Sequence, residues 1–348
     1  MKLLTCIFLI LSTAIGAGIL ALPYYFSKVG IIFSIIIWII ISIAMYVNSL
    51  ILIKTELFFK GMKGLPGIFE IYFGKKAKII ILIFLVLSIY FAIFAYLKAL
   101  SESISKYFPP YSFLIILLLL NSFIVYLSKY SIESFGTIYS IFKFLFLILA
   151  IVFFLMNHKV ERKFSLINTD FNSLISFLGI SMFAFMFYTI IPNLKSVTRD
   201  ENILKNSVKY SLFIIFIFYL LFCIVFYNDI EIATLKIGEV FDFLTIVFVF
   251  SPYVLLSYVL NETLKNDFNL SNKQSFIFSV ALPFILYLVL PLSFSKFIEI
   301  SGGIFGCLLF LLISYYGLKN EKLKINKKLL MFLFIFSIIG FILSIINI

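Results

Sequence analysis

Within Ser12–Gly30, STAIGAGILALPYYFSKVG, an apolar run long enough to cross a bilayer carries Gly16, Gly18 and then Pro23. Glycine weakens a helix, and proline removes an intrahelical hydrogen bond and crowds the preceding turn. In hydrocarbon every backbone N–H and C=O needs a partner, so loosened backbone persists only where protein or a water-filled cavity supplies one. Freed amides at a half-helix N-terminus suit an anionic group, and freed carbonyls suit a cation. A zwitterion such as an amino acid offers both charges. Lys143, in GTIYSIFKFLFLILAIVFF, is the second residue able to do chemistry, and no acid stands within two turns of it. A charged lysine at that depth must be paired, hydrated or deprotonated. Burial disfavours its charged form, so it could carry a proton. The alternative is a static strut bonded to nearby carbonyls.

Membrane spans must position these residues. Of 348 residues, 63% are hydrophobic and 13% charged, against about 25% charged in soluble chains. We expect an all-α polytopic membrane protein with one membrane domain over 1–348. Eleven spans are expected near 5–26, 31–53, 78–101, 111–128, 133–155, 172–193, 207–227, 240–262, 274–292, 296–316 and 328–347. Each approaches the roughly 20 apolar residues a crossing helix needs. Pro283 and Pro291 blur the boundary between the ninth and tenth spans. Lys2, an apolar core and small residues at Ala14–Gly18 also suit a cleaved signal peptide. Against that, the apolar run continues to Phe26 and another begins at Ile31.

The net charge of +12 sits in short loops between apolar runs, where it sets orientation rather than binding nucleic acid. Lys54, Lys60, Lys63, Lys75, Lys76 and Lys78 share one side with Lys195, Arg199, Lys205 and Lys209. Lys319, Lys322, Lys324, Lys327 and Lys328 join them, whereas loop 228–242 carries Asp229, Glu231, Glu239 and Asp242 against Lys236. This bias predicts a multi-pass protein of the cell membrane with its N-terminus cytoplasmic and its C-terminus outside. Residues 54–77 read as a short amphipathic segment at the cytoplasmic interface.

Cys6, Cys223 and Cys307 lie in separate apolar runs and read as buried hydrophobes, not a metal set or disulfide frame. His158 has no partner for a metal site. No cofactor is expected. The spans hold no acidic pair for enzyme chemistry, and no P-loop suggests ATP coupling.

The sixth span, FLGISMFAFMFYTIIPNLKS, repeats features of the first: a weak patch, a proline (Pro192 against Pro23) and a lysine (Lys195 against Lys28). An odd number of spans per unit inserts the second unit upside down relative to the first. Matched interrupted helices in inverted units point to a binding site between them.

IGAGILALPYYFSKVG resembles the first-helix signature of amino-acid permeases of the amino acid/auxin and aromatic amino-acid permease types, in the amino acid–polyamine–organocation superfamily. FAFMFYTIIPNLK is similar to their sixth-helix signature, YFAIFAYLKALSESI to their third helix and ISGGIFGCLLFLLISY to their tenth. The resemblance implies a leucine-transporter-type five-plus-five inverted repeat with broken first and sixth helices. Repeat one would cover about 5–155, repeat two about 172–316, and an extra helix about 328–347. It implies that Ala14–Leu20 is unwound, with Ile15, Gly16, Ala17 and Gly18 receiving a substrate carboxylate. Carbonyls near Phe183, Ala184 and Phe185 would hold its ammonium, and Phe183 and Phe187 would shape the side-chain pocket. Met186 and Phe187 stand where relatives often carry glycine, which leaves the exact break open. Lys143 is similar to a fifth-helix lysine that takes the place of sodium in proton-coupled relatives.

The eighth span scatters Thr245, Ser251 and Ser257 without the adjacent hydroxyls a sodium site favours, so Ala14 and Ser251 are its candidate cation ligands. Tyr96 and Tyr90 could point a hydroxyl at substrate, and Lys98 would pair with Glu102 or snorkel. The expected function is proton-coupled symport of a neutral hydrophobic or aromatic amino acid by alternating access. A sodium-coupled symporter, or a membrane sensor or enzyme on the same fold, is the alternative. The expected partners are the amino acid and the bilayer. Oligomeric state is not legible.

Overall fold

Long apolar runs satisfy their backbone internally as helices, which places the chain in a helical bundle whose interruptions carry the information. The computed structural model describes residues 1–57, 64–105, 107, 109–126, 128–157, 165–168, 170–227 and 239–347. The first unit comprises α1 (Lys2–Ala14), α2 (Gly18–Val29), α3 (Ile31–Leu57), α4 (Leu65–Ile104), α5 (Pro110–Tyr126) and α6 (Ser128–Asn157). The second opens with α7 (Phe171–Phe185) and a 3₁₀ segment, Tyr188–Ser196, followed by α8 (Glu201–Val225) and α9 (Glu239–Phe268). It continues through α10 (Asn272–Phe276), α11 (Leu282–Val289), α12 (Phe294–Glu299) and α13 (Cys307–Lys319), and α14 (Lys327–Ile346) ends the chain. Eight stretches are long and apolar enough to span a membrane, Phe171–Ser196 among them with an interruption, α1 and α2 form one bent pair, and Ser112–Tyr126 and Ser134–Leu149 are shorter apolar helices. These account for all eleven expected spans.

Several joints show why the sequence breaks where it does. Gly30 ends α2 at φ +89° and lies against the backbone of 166–168, where a Cβ would come within 3.0 Å of three atoms. Asn168 N–H donates to the Val29 carbonyl at 3.1 Å, and Ile32 N–H to that of Leu166. Pro283 is absorbed in the first turn of α11, just after a π-helical turn at Ile277–Ala281, while Pro291 falls in the gap before α12. A second π-helical stretch, Ile300–Gly306, joins α12 to α13. Between α13 and α14, Lys327 donates to Glu321 at 2.6 Å and holds that carboxyl below its usual range.

Most of the buried apolar side chains form one cluster running from Cys6 to Leu333. Of the eight unbent spans, Phe171–Ser196 is the most enclosed, at 89%, and Lys327–Ile346 is among the least, at 28%. The second interrupted span therefore sits at the centre of the bundle and α14 at its edge. Ile36, Ile39, Ile43, Ile79, Ile80 and Ile83 form part of an exposed apolar belt suited to lipid.

The three cysteines are free and buried, and Lys98 pairs with Glu102 at 3.2 Å. Only part of the amphipathic stretch 54–77 lies within the described residues. There, Leu65–Phe73 is helical, burying Leu65, Ile68 and Phe69 and exposing Ile71, Tyr72 and Phe73, before Gly74 bends the chain at φ +81°. His158, Asp229, Glu231 and Lys236 lie outside the described residues.

Candidate functional site

The first break covers Ile15–Ala17, and the axes of α1 and α2 diverge there by 65°. It is narrower than the expected Ala14–Leu20. Ala14 is still the last residue of α1, and the chain recoils at once through Ile19 N–H to the Gly16 carbonyl (3.3 Å) and Leu20 N–H to Ala17 (3.1 Å). Among the described residues the amides of Gly16, Ala17 and Gly18 donate to no backbone carbonyl. They sit at the positive end of α2, a natural seat for an anion.

The second break is at Met186 and Phe187. Met186 is extended (φ −78°, ψ 105°), Phe187 lies at φ −132°, ψ 5°, and a 3₁₀ helix containing Pro192 resumes at Tyr188. Of the carbonyls expected to face a cation, Phe183 accepts Met186 N–H and Ala184 accepts the Tyr219 hydroxyl. Phe185 accepts no backbone donor among the described residues.

The two breaks touch. A Cβ on Gly18 would lie 2.8 Å from Ala184 Cβ and 3.2 Å from the Phe183 ring. One on Gly16 would meet Pro252 at 2.9 Å and the Tyr96 hydroxyl at 3.3 Å. Tyr96 in turn faces Phe183 with ring centroids 5.9 Å apart. Ile15, Gly16, Ala17, Gly18, Phe183, Ala184, Phe185 and Tyr96 thus share one buried locus. Phe187 is fully buried and has no ring partner among the described residues. Tyr90 is committed elsewhere, donating to the Phe278 carbonyl.

Lys143 is 1% exposed and reaches across to the first break, where its ammonium nitrogen bonds the carbonyls of Ser12 (3.0 Å) and Ile15. The Ser251 hydroxyl bonds the same Ser12 carbonyl at 3.1 Å and the Ser12 hydroxyl at 3.0 Å. Ser140, one turn from Lys143, bonds the Phe8 carbonyl. One end of α1 is therefore held by α6 and α9 together. Ala14, expected alongside Ser251 as a cation ligand, instead gives its carbonyl to Tyr219 at 3.0 Å. Ser257 bonds Tyr253 and Asn121, away from α1.

Sequence reasoning missed several supports. Tyr219 has no signal of its own among 20 tyrosines. Trp38, the only tryptophan, is fully buried and bonds Ser181 of α7 at 2.9 Å while stacking on Phe177. Gly302, in the π-helical stretch, lies so close to α7 that a Cβ would fall 2.5 Å from the Phe183 nitrogen. A glycine pair in ISGGIFG was the available hint.

A small zwitterion fits this arrangement chemically, with free amides at one half-helix start, carbonyls at two half-helix ends and aromatic walls between. The model of the tryptophan/tyrosine permease family matches residues 1–237. No curated protein sequence matches. Among solved structures, the crystal structure of MhsT in complex with L-phenylalanine superposes with a TM-score of 0.71 at 16% identity, covering 99% of this chain and 98% of that one. That likeness extends to the whole bundle, and with it the leucine-transporter fold holds for this chain.

Proposed function

The chain belongs to the tryptophan/tyrosine permease family and is an amino-acid transporter rather than an enzyme, and on that premise we propose that it carries a neutral aromatic or hydrophobic amino acid together with a proton. The observation that carries the coupling half is the Lys143 ammonium on the Ser12 and Ile15 carbonyls. Protonated, Lys143 supplies the positive charge that the end of α1 lacks. Deprotonated, it keeps two N–H donors but loses the charge that strengthens both bonds and offsets the helix end, so the end of α1 loosens from α6. Loading and release of one proton thereby biases the two halves of the bundle between outward and inward arrangements. Sodium in that place would have to displace an amine already bonded to those carbonyls.

For the substrate, the amides of Gly16, Ala17 and Gly18 would take the carboxylate and the carbonyls near Phe185 the ammonium. Phe183, Phe187 and Tyr96 would meet the side chain, and no acid or base stands in that wall to recognise a charged one. L-Phenylalanine in the MhsT complex is a ligand of the class proposed. The lysine distribution supports a cytoplasmic N-terminus and an external C-terminus in the cell membrane.

Uptake of a labelled neutral amino-acid panel into proteoliposomes tests this reading. Accumulation of tryptophan, tyrosine or phenylalanine under an inward proton gradient without sodium is expected. Accumulation only with sodium, or uptake confined to arginine, lysine or glutamate, would overturn it.

A further inference from the structure

The Tyr219 hydroxyl, on α8, stands between two carbonyls that belong to different broken helices. It lies 3.0 Å from the Ala14 oxygen at the end of α1 and 2.8 Å from the Ala184 oxygen near the end of α7. Among the described residues neither oxygen accepts a backbone N–H. Both ends carry the partial negative charge of a helix C-terminus, so side by side they repel unless a donor stands between them. Tyr219 is fully buried, which excludes bulk water from that role. Its ring is held edge-on to Phe185 at 5.2 Å and beside Trp38 at 6.3 Å, so the hydroxyl is fixed by packing rather than by the carbonyls alone.

A hydroxyl has one proton, yet two acceptors lie within reach. It can satisfy one fully and leaves the other with lone pairs to offer. An arriving ammonium has protons for the remainder. We propose that Tyr219 is a positioning residue for substrate: it holds the two half-helix ends at a fixed separation and keeps one carbonyl ready for the α-ammonium. The inference rests on the amino-acid reading above and assigns to α8 a part in reading the amine. It also explains why the breaks can approach as closely as Gly18 and Ala184 do.

Tyr219→Phe keeps the ring in its aromatic cage and removes only the hydroxyl. Without substrate, hydrogen exchange of the purified variant should quicken at both breaks, 15–18 and 186–189, while the rest of α8 is unchanged. Unchanged exchange at both breaks overturns the proposal. In a second arm, unlabelled L-phenylalanine and its amine-free analogue 3-phenylpropionate compete with labelled L-phenylalanine. The variant should lose about 10- to 100-fold in affinity for the amino acid, the range for a hydrogen bond to a charged group, and little for the analogue. Equal losses for both would mean that Tyr219 only packs, and would overturn the proposal. If the wild type binds neither compound, the aromatic substrate reading fails and the exchange arm alone decides Tyr219.

Discussion

Gly18 is without a side chain where Ala184 already fills the space, with a Cβ–Cβ separation that would be 2.8 Å. Gly18→Val would have to part the two breaks. We expect the variant to lose about 1–3 kcal/mol of stability by overpacking and its uptake to fall at least about tenfold, measured by thermal unfolding in detergent and by labelled uptake. Retention of full uptake would mean that the contact is incidental. Lys143 was legible in the sequence because a lone cation in an apolar run has few ways to exist. Tyr219 was not. An aromatic in a chain with 46 phenylalanines is unremarkable until the fold brings two carbonyls from residues 14 and 184 to its hydroxyl. Ser251 was legible as a candidate cation ligand but not as a bond to α1, because its partner Ser12 lies 239 residues away.

At the scale of elements, Gly16 and Gly18 located the first break but not its extent, whereas the second, at Met186 and Phe187, holds no glycine and was marked only by Pro192 beyond it and by the resemblance of FAFMFYTIIPNLK. The first closes within three residues, because Ile19 and Leu20 find acceptors immediately. Pro283, which blurs the span pattern, sits directly after a π-helical turn within the unbroken stretch Asn272–Val289, and that widened turn absorbs its missing N–H. The helical start of α4 is held by a residue that no local pattern indicated. Asp267, at the end of α9, accepts the N–H groups of Gly64 (3.0 Å) and Gly67 (2.9 Å), acting as a helix cap from a distant element. Both glycines leave room for that carboxylate, since a Cβ on Gly67 would lie 2.4 Å from it. Asp267→Ala orphans two donors, so the 64–73 segment should detach at a loss of about 1–3 kcal/mol. Faster hydrogen exchange confined to that segment is the expected result, and unchanged protection would show that apolar packing alone holds it. Lys195, buried with Glu56 at 3.4 Å, ties the far end of the second break to α3 by a similar long-range contact.

At the scale of the molecule, span count, single-bundle architecture and the pairing of first and sixth spans were legible because the bilayer permits so few solutions. A fold shared with MhsT at 16% identity is compatible with the same constraint, since side chains that face lipid need only be apolar. In the proposed mechanism coupling belongs to this whole arrangement, since Lys143 joins α6, the last helix of the first unit, to the broken helix that opens it. One proton descending one pH unit supplies about 1.4 kcal/mol, enough to accumulate a neutral zwitterion about tenfold. The most direct test compares Lys143→Ala with the wild type in proteoliposomes, under an inward proton gradient and in substrate exchange at equal pH. The account predicts that the variant loses gradient-driven accumulation while retaining exchange. Accumulation by Lys143→Ala at the wild-type level under the same gradient would contradict it.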